Sequence, residues 1–390
     1  MRTRLLTAAS VGAATLFTVA GGAAAHDHHN RRHGRDAGAQ FSASVFAAGA
    51  TITHPITGGS EPVSHPDDIT YLNGEIFVAF QNGVGAQGQP TGTTADSTIV
   101  AFSRDGSQLA QWDITGKCDG LAADPQTGQL IATVNEDANS SLYVIDPVAG
   151  STPVQYQYNV PLPSDGGTDA ISVYHGTVLI SASAPGTTAP MGAPAAPQAS
   201  YPAVYRVWLD SSTDTAYIDG LFGDEAPALT ANTGAASFGS LTTLGLTDPD
   251  SNAVVPRYAD RFAGDFMLSS QGDQQQIFYR DPWQPLSVLS LPASADDTAW
   301  PSDGDGTLYT TDNAANQIIA VTGPFARGSE IAAVTPCDSN LAPAVCPGPG
   351  YPPKYLGAID PFSGAITPLS VGGTAFAPQG LLFLPDRRHG

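Results

Sequence analysis

The stretch DITYLNGEIFVAFQN, residues 68–82, decides the fold. It opens on an aspartate, runs through alternating apolar positions, turns at Gly74 and ends a second apolar run at Gln81. Alternation of this kind is the period of a half-buried strand, and a glycine between two such runs marks a turn. The unit recurs as DGLAADPQTGQLIATVNE from Asp119 and DAISVYHGTVLISAS from Asp169. SLTTLGL from Ser240 joins GDFMLSSQ from Gly264 across an insertion, and DTAWPSDGDGTLYTTDN from Asp297 follows. A last head, Gln379, opens PQGLLFLP. Without insertions the heads fall roughly 50 residues apart, the length of a four-stranded propeller blade. Third strands are expected at Ser97, Ser140, Ala203, Gln275 and Asn316.

The expected fold is therefore all-β, a six-bladed β-propeller. The run SASVFAAGATITHPI, from Ser42, supplies outer strands without an inner one, and PQGLLFLP an inner strand without outer ones. Pairing the two closes the ring and removes exposed edges. A seventh blade stays open if Pro185–Gly239 holds one. No helix-period stretch stands out.

Residues 1–25 read as a signal peptide: Arg2 and Arg4, an apolar stretch from Leu5 to Ala20, then Ala23-Ala24-Ala25. Residues 26–40 form a polar, histidine-rich tail, 41–386 a single propeller domain and 387–390 a short C-terminal tail. No later segment has the roughly 18 apolar residues of a membrane span. The chain reads as a secreted monomer. Its formal net charge of −21, more negative once Arg2 and Arg4 leave, repels nucleic acid and favours cations or neutral ligands. The expected partner is a small molecule or an extracellular protein or glycan.

Of three cysteines, Cys337 and Cys346 bracket a Pro-rich loop and are expected to pair in an oxidising compartment, leaving Cys118 free. The tail offers its own site. Cleavage after Ala25 leaves His26, His28 and His29 at a free amine, with His33 nearby, a nitrogen set suited to Cu²⁺ or Ni²⁺.

CDGLAADPQTGQLIATVNEDANSSLYVID and DDTAWPSDGDGTLYTTDNAANQIIAVTG resemble the repeats of NHL-type and SMP-30/gluconolactonase-like six-bladed propellers. The resemblance spans most of residues 64–384 and implies that inner strands begin near the mouth of a central channel. It also implies one divalent cation, held by a Glu, Asn residues and an Asp, and a lactonase or phosphoesterase type of hydrolysis. Asp119 matches the family's Asp-Gly head, and Asn135 or Asn313 an amide ligand. His65-Pro66-Asp67-Asp68 stands where the family has its Glu. The candidate metal ligands, for Ca²⁺ as a hard cation, are Asp68, Asp119, Asn135, Asp169, Asp297 and Asn313. The candidate catalytic pair is His65 with Asp68. A second reading stays open: the head aspartates cap turns and tie neighbouring blades by hydrogen bonds.

Overall fold

The computed structural model describes residues 41–90, 92, 94–162, 166–185, 188–189, 193–194, 201–336 and 354–386. The expected signal peptide, the tail histidines His26, His28, His29 and His33, and the Cys337–Cys346 pair lie outside these residues.

The described chain is all-β. Its one helical segment is a 3₁₀ turn at Gly49–Thr51, and among the described residues no helix is long and apolar enough to cross a membrane. The stretch quoted first folds as read. Pro66–Leu72 and Glu75–Phe80 pair antiparallel and continue into Asp96–Phe102 and Gln108–Thr115. An eight-stranded sheet follows, built from two four-stranded meanders. One starts at Cys118–Asp124 and the other at Thr168–Tyr174, and a short parallel pairing joins Val154–Tyr158 to Thr215–Gly223. Pro249–Val254 begins a six-stranded sheet, and Ala295–Ala299 a four-stranded one.

A five-stranded sheet holds both ends of the described chain. Its order is Val371–Gly373, Phe41–Ala48, Gln317–Thr322, Gly306–Asp312 and Leu381–Pro385. Two expectations need correction here. Asp297 and the run GTLYTTD do not share a sheet: Ala295–Ala299 pairs with Glu330–Val334, while the hairpin between them joins the terminal sheet. Ser240 heads no first strand either. It precedes Leu241–Thr243, an outer strand beside Pro227–Thr230, and the first strand of that sheet is Pro249–Val254. The first error assumed that strands adjacent in sequence pair with one another; the second passed over Pro249–Val254, which lies in the insertion and is the true partner of Phe266–Ser270.

The second strands are not half-buried. Ile76, Phe77, Val78, Ala79 and Phe80 are all fully buried because sheets cover both faces. The strand period divides them: Phe77 and Ala79 join Trp112, Leu130 and Tyr143 in one core, while Ile76, Val78 and Phe80 join Tyr309, Ile318 and Leu384 in another. Burying each Phe contributes about 2–3 kcal/mol, so such a strand stabilises two sheet interfaces at once. Outer strands such as Val154–Tyr158 regain an exposed face.

Six first strands contact in sequence: Pro66–Leu72, Cys118–Asp124, Thr168–Tyr174, Pro249–Val254, Ala295–Ala299 and Leu381–Pro385, which in turn contacts Pro66–Leu72. One residue from each, Asp68, Leu121, Ile171, Asn252, Asp297 and Leu381, lines a common cavity of about 380 Å³. Second-strand hydroxyls latch three of the sheets to the first strand of another. Ser181 donates to the Asp250 carbonyl at 2.9 Å, Ser269 to Ala295 at 2.7 Å and Thr311 to Asp67 at 2.5 Å. Thr311 Oγ1 also accepts from Gly380 N at 2.8 Å. Thr311→Val keeps the shape but leaves two buried backbone groups without this partner. It should destabilise the fold by about 1–3 kcal/mol, read as a lower urea midpoint at unchanged slope.

Candidate functional site

The site is built by a defect repeated in the first strands. Pairing with the second strand loses register between Pro66 and Ile69, Cys118 and Gly120, Thr168 and Ile171, Pro249 and Asn252, and Ala295 and Thr298. Such bulges release a residue from the ladder and re-aim its side chain. The residue after each first partner is an aspartate: Asp67, Asp119, Asp169, Asp250 and Asp296. Gln379 stands at the head of the sixth strand, its N–H donating to the Thr311 carbonyl. All six line one cavity of about 210 Å³.

This register shifts the expected column. Asp67 and Asp296 hold the positions assigned to Asp68 and Asp297, and Asp250 replaces Ser240. The second member of each Asp-Asp doublet does something else. Asp68 accepts from Ile69 N and from Leu121 N of the next first strand, both at 2.6 Å. Asp297 accepts from Thr298 N and Leu381 N, also at 2.6 Å. Both still line the mouth, but they tie strands together as the turn-capping reading expects.

The amides that follow the second strands divide similarly. Gln81 lies in the mouth and donates to Asp67 and Asp119, each at 2.9 Å. Asn135 spends both polar atoms on backbone, Oδ1 accepting from Lys117 N at 3.0 Å and Nδ2 donating to Asn139 O at 2.9 Å. These bonds brace the backbone, and Asn135 does not line the mouth. Its left-handed φ of 69° turns the chain there, and Glu136, the next residue, lines the mouth. Asn313 sits at the hairpin turn before Asn316, whose N–H its carbonyl accepts, and does not line the mouth. His65 is exposed, accompanied by Ser64 Oγ at 3.0 Å, and also lies outside the lining, so the proposed His65–Asp68 pair has no common cavity there.

Eight carboxylates and two lysines, Lys117 and Lys354, share the mouth. Lys117 Nζ lies 2.8 Å from Asp119 Oδ1 and also bonds Glu136; Lys354 Nζ lies 3.8 Å from Asp296. Burial, opposed by Lys117 and reinforced by Glu136, pushes Asp119 up to about 7. Burial likewise brings Asp68 to about 7 against two backbone hydrogen bonds. Asp169 is raised well above the usual carboxylate range by burial, then by Asp250 and Asp119. Burial and the neighbouring Asp119 and Asp296 do the same for Asp67. Burial opposes the charge on Lys117, yet Asp119, Glu136 and Asp67 outweigh it and raise its pKa.

Within this ring Asp119, Glu136 and Asp169 offer carboxylate oxygens all within 4.8 Å of one another. Oxygens bound to one Ca²⁺ at about 2.4 Å lie no farther apart than that. Asp119 is only 8% exposed, and its Oδ2 is buried without a hydrogen-bond partner. An orphaned carboxylate oxygen on a residue grouped with two further carboxylates fits a hard divalent cation. Sequence reasoning missed Glu136, Asp250 and Lys117. The doublets signalled Asp67 and Asp296, but Glu136 carried no signal beyond its place after Asn135.

No protein-family model and no curated protein sequence matches the chain. Among solved structures it is similar to a periplasmic gluconolactonase of Pseudomonas aeruginosa, at 15% identity and a TM-score of 0.43, covering 83% of this chain and 89% of that one. It is similar to a 6-phosphogluconolactonase, so named provisionally, of Bacteroides fragilis, at 9% identity and a TM-score of 0.42, covering 84% and 91%. A Bacteroides thetaiotaomicron protein of unknown function matches at 11% identity and a TM-score of 0.43, covering 87% and 67%. These likenesses carry no argument about the chemistry of the mouth.

The raised carboxylates set a pH dependence. Asp68 and Asp119 titrate near 7 when folded and near 4 when unfolded, so the folded chain binds the extra protons. Stability is fully present below about pH 4 and is lost as pH rises through 7. In chelator, the urea midpoint should fall between pH 5.5 and 8, costing at least about 1 kcal/mol. Asp119→Asn should flatten that decline.

Proposed function

We propose that residues 41–386 form a six-bladed propeller whose acid-lined mouth binds a divalent cation, Ca²⁺ by its oxygen donors, and through it a small molecule or glycan. In this reading each half of the eight-stranded sheet is one blade, and the sheet shared by Phe41–Ala48 and Leu381–Pro385 closes the ring. The chain is exported after removal of residues 1–25 and acts as a monomer. Asp119, Glu136 and Asp169 hold the ion, with Asp67 and Asp250 beside them. The observation that carries the proposal is the buried, unpartnered Asp119 Oδ2 inside that triad. A bound cation supplies charge neutralisation and, at coordination positions facing the cavity, a seat for hydroxyl or carbonyl oxygens.

The charge of the mouth narrows the ligand. Among the described residues of the mouth both lysines already face carboxylates, so none of them is a free cation for a phosphate. Neutral, hydroxyl-rich molecules fit better than phosphorylated ones. A hydrolytic role is the second reading: Asp68 lines the same mouth, and burial pushes its carboxyl up to about 7, the range that suits a general base at neutral pH. Copper or nickel binding by His26, His28, His29 and His33 is a separate proposal for the tail.

Metal analysis and calorimetry on the mature protein test the main reading. Calcium should bind one-to-one, and Asp119→Ala or Asp169→Asn should weaken it at least about tenfold without loss of fold, because two or more charged donors remain. Unchanged affinity in both variants refutes the site. Chelator-sensitive turnover of neutral lactones, lost in Asp68→Asn, supports hydrolysis; its absence with binding intact leaves a binding protein.

A further inference from the structure

Lys117 lies inside the proposed cation site without being one of its ligands. Its ammonium is 2.8 Å from Asp119 Oδ1 and bonded to Glu136, two of the three triad members. Its backbone is fixed from both sides. Lys117 N donates to Asn135 Oδ1 at 3.0 Å, and Asn135 N donates to the Lys117 carbonyl at 2.7 Å. The preceding Gly116, at φ 115°, has a backbone that a side chain would strain, and a Cβ there would meet Asn135 Oδ1 at 2.7 Å. The lysine is therefore anchored at its root, with its side chain only 18% exposed. Lys354, the other lysine of the mouth, is 3.8 Å from Asp296 and touches no member of the triad by that ion pair.

We propose that Lys117 is a tethered counter-ion that competes with the divalent cation for Asp119 and Glu136, and so sets how tightly the mouth takes its metal. This inference rests on the cation reading of the same site. With the ammonium on Asp119 Oδ1, Oδ2 is left unsatisfied and three carboxyl groups still face a single ammonium, an excess that a divalent ion can offset. A cation drawn to the triad must repel or displace the ammonium, at an electrostatic cost the lysine imposes on every binding event. The same tether holds the carboxylates together when no cation is bound, so the blade heads keep their geometry.

Calorimetric titration with CaCl₂ of the wild type, Lys117→Gln, Lys117→Arg and Lys354→Gln decides it. Lys117→Gln should bind calcium roughly tenfold or more tightly, since a full charge leaves the triad. Lys117→Arg should stay within about threefold of wild type, and Lys354→Gln likewise, because it removes equal charge from the mouth but none from the triad. In chelator Lys117→Gln should melt below wild type, and calcium should recover more stability in it than in wild type. Binding by wild type with equal or weaker binding by Lys117→Gln overturns the competition and leaves the cation site standing. Equal tightening by Lys117→Gln and Lys354→Gln also overturns it, as a general charge effect. No calcium binding by any of the four overturns the cation reading and the competition with it.

Discussion

The site depends on one backbone irregularity. In a regular strand an aspartate at the head of Pro66–Leu72 or Thr168–Tyr174 would point into a sheet face, against the packed side chains of the next sheet. The extra residue at each head frees it from that alternation and turns it into the mouth. Repeated in five first strands, the bulge converts a sequence motif into a ring of carboxylates. Sheet packing then supplies the rigidity. Fully buried second strands such as Glu75–Phe80 wedge between neighbours, so the heads cannot separate to relieve their repulsion.

Crowding charge in this way has a cost that the fold meets by several means. Asp68 and Asp297 accept backbone N–H groups across the junction between first strands, converting repulsive carboxylates into ties. Gln81 and Gln379 place amide donors on Asp67, and Gln81 reaches Asp119 as well. Lys117 and Lys354 bring positive charge. What remains unrelieved shows in the raised pKa values of Asp67, Asp119 and Asp169, which burial dominates. Asp119 Oδ2, buried without a hydrogen-bond partner, concentrates that imbalance into one atom of the triad.

Cys118 adjoins this chemistry without taking part. It is buried, its thiol pushed up by burial and then by Asp119, and its Sγ faces the Gly120 carbonyl. A thiol so disfavoured from ionising is a packing residue of the first core, where it lies with Leu121 and Val134.

The sequence by itself determined the all-β class, five of the six first strands and the clustering of acidic heads, because alternation and turn glycines are local signals. Asp119 and Asp169 were legible for that reason: each begins an uninterrupted strand–turn–strand unit. Asp250 was not, since Pro249 and the insertion before it disguise a first strand as a loop. The choice of Asp67 over Asp68, and Asp296 over Asp297, turns on where a bulge falls within a doublet, and pairing with the second strand decides that. Only the tertiary structure could hand the hairpin at 306–322 to the terminal sheet, bring Glu136 and Lys117 to Asp119, and remove Asn313 and His65 from the mouth. Each of these follows from which sheets lie side by side, a property of long-range packing that no local run of residues encodes.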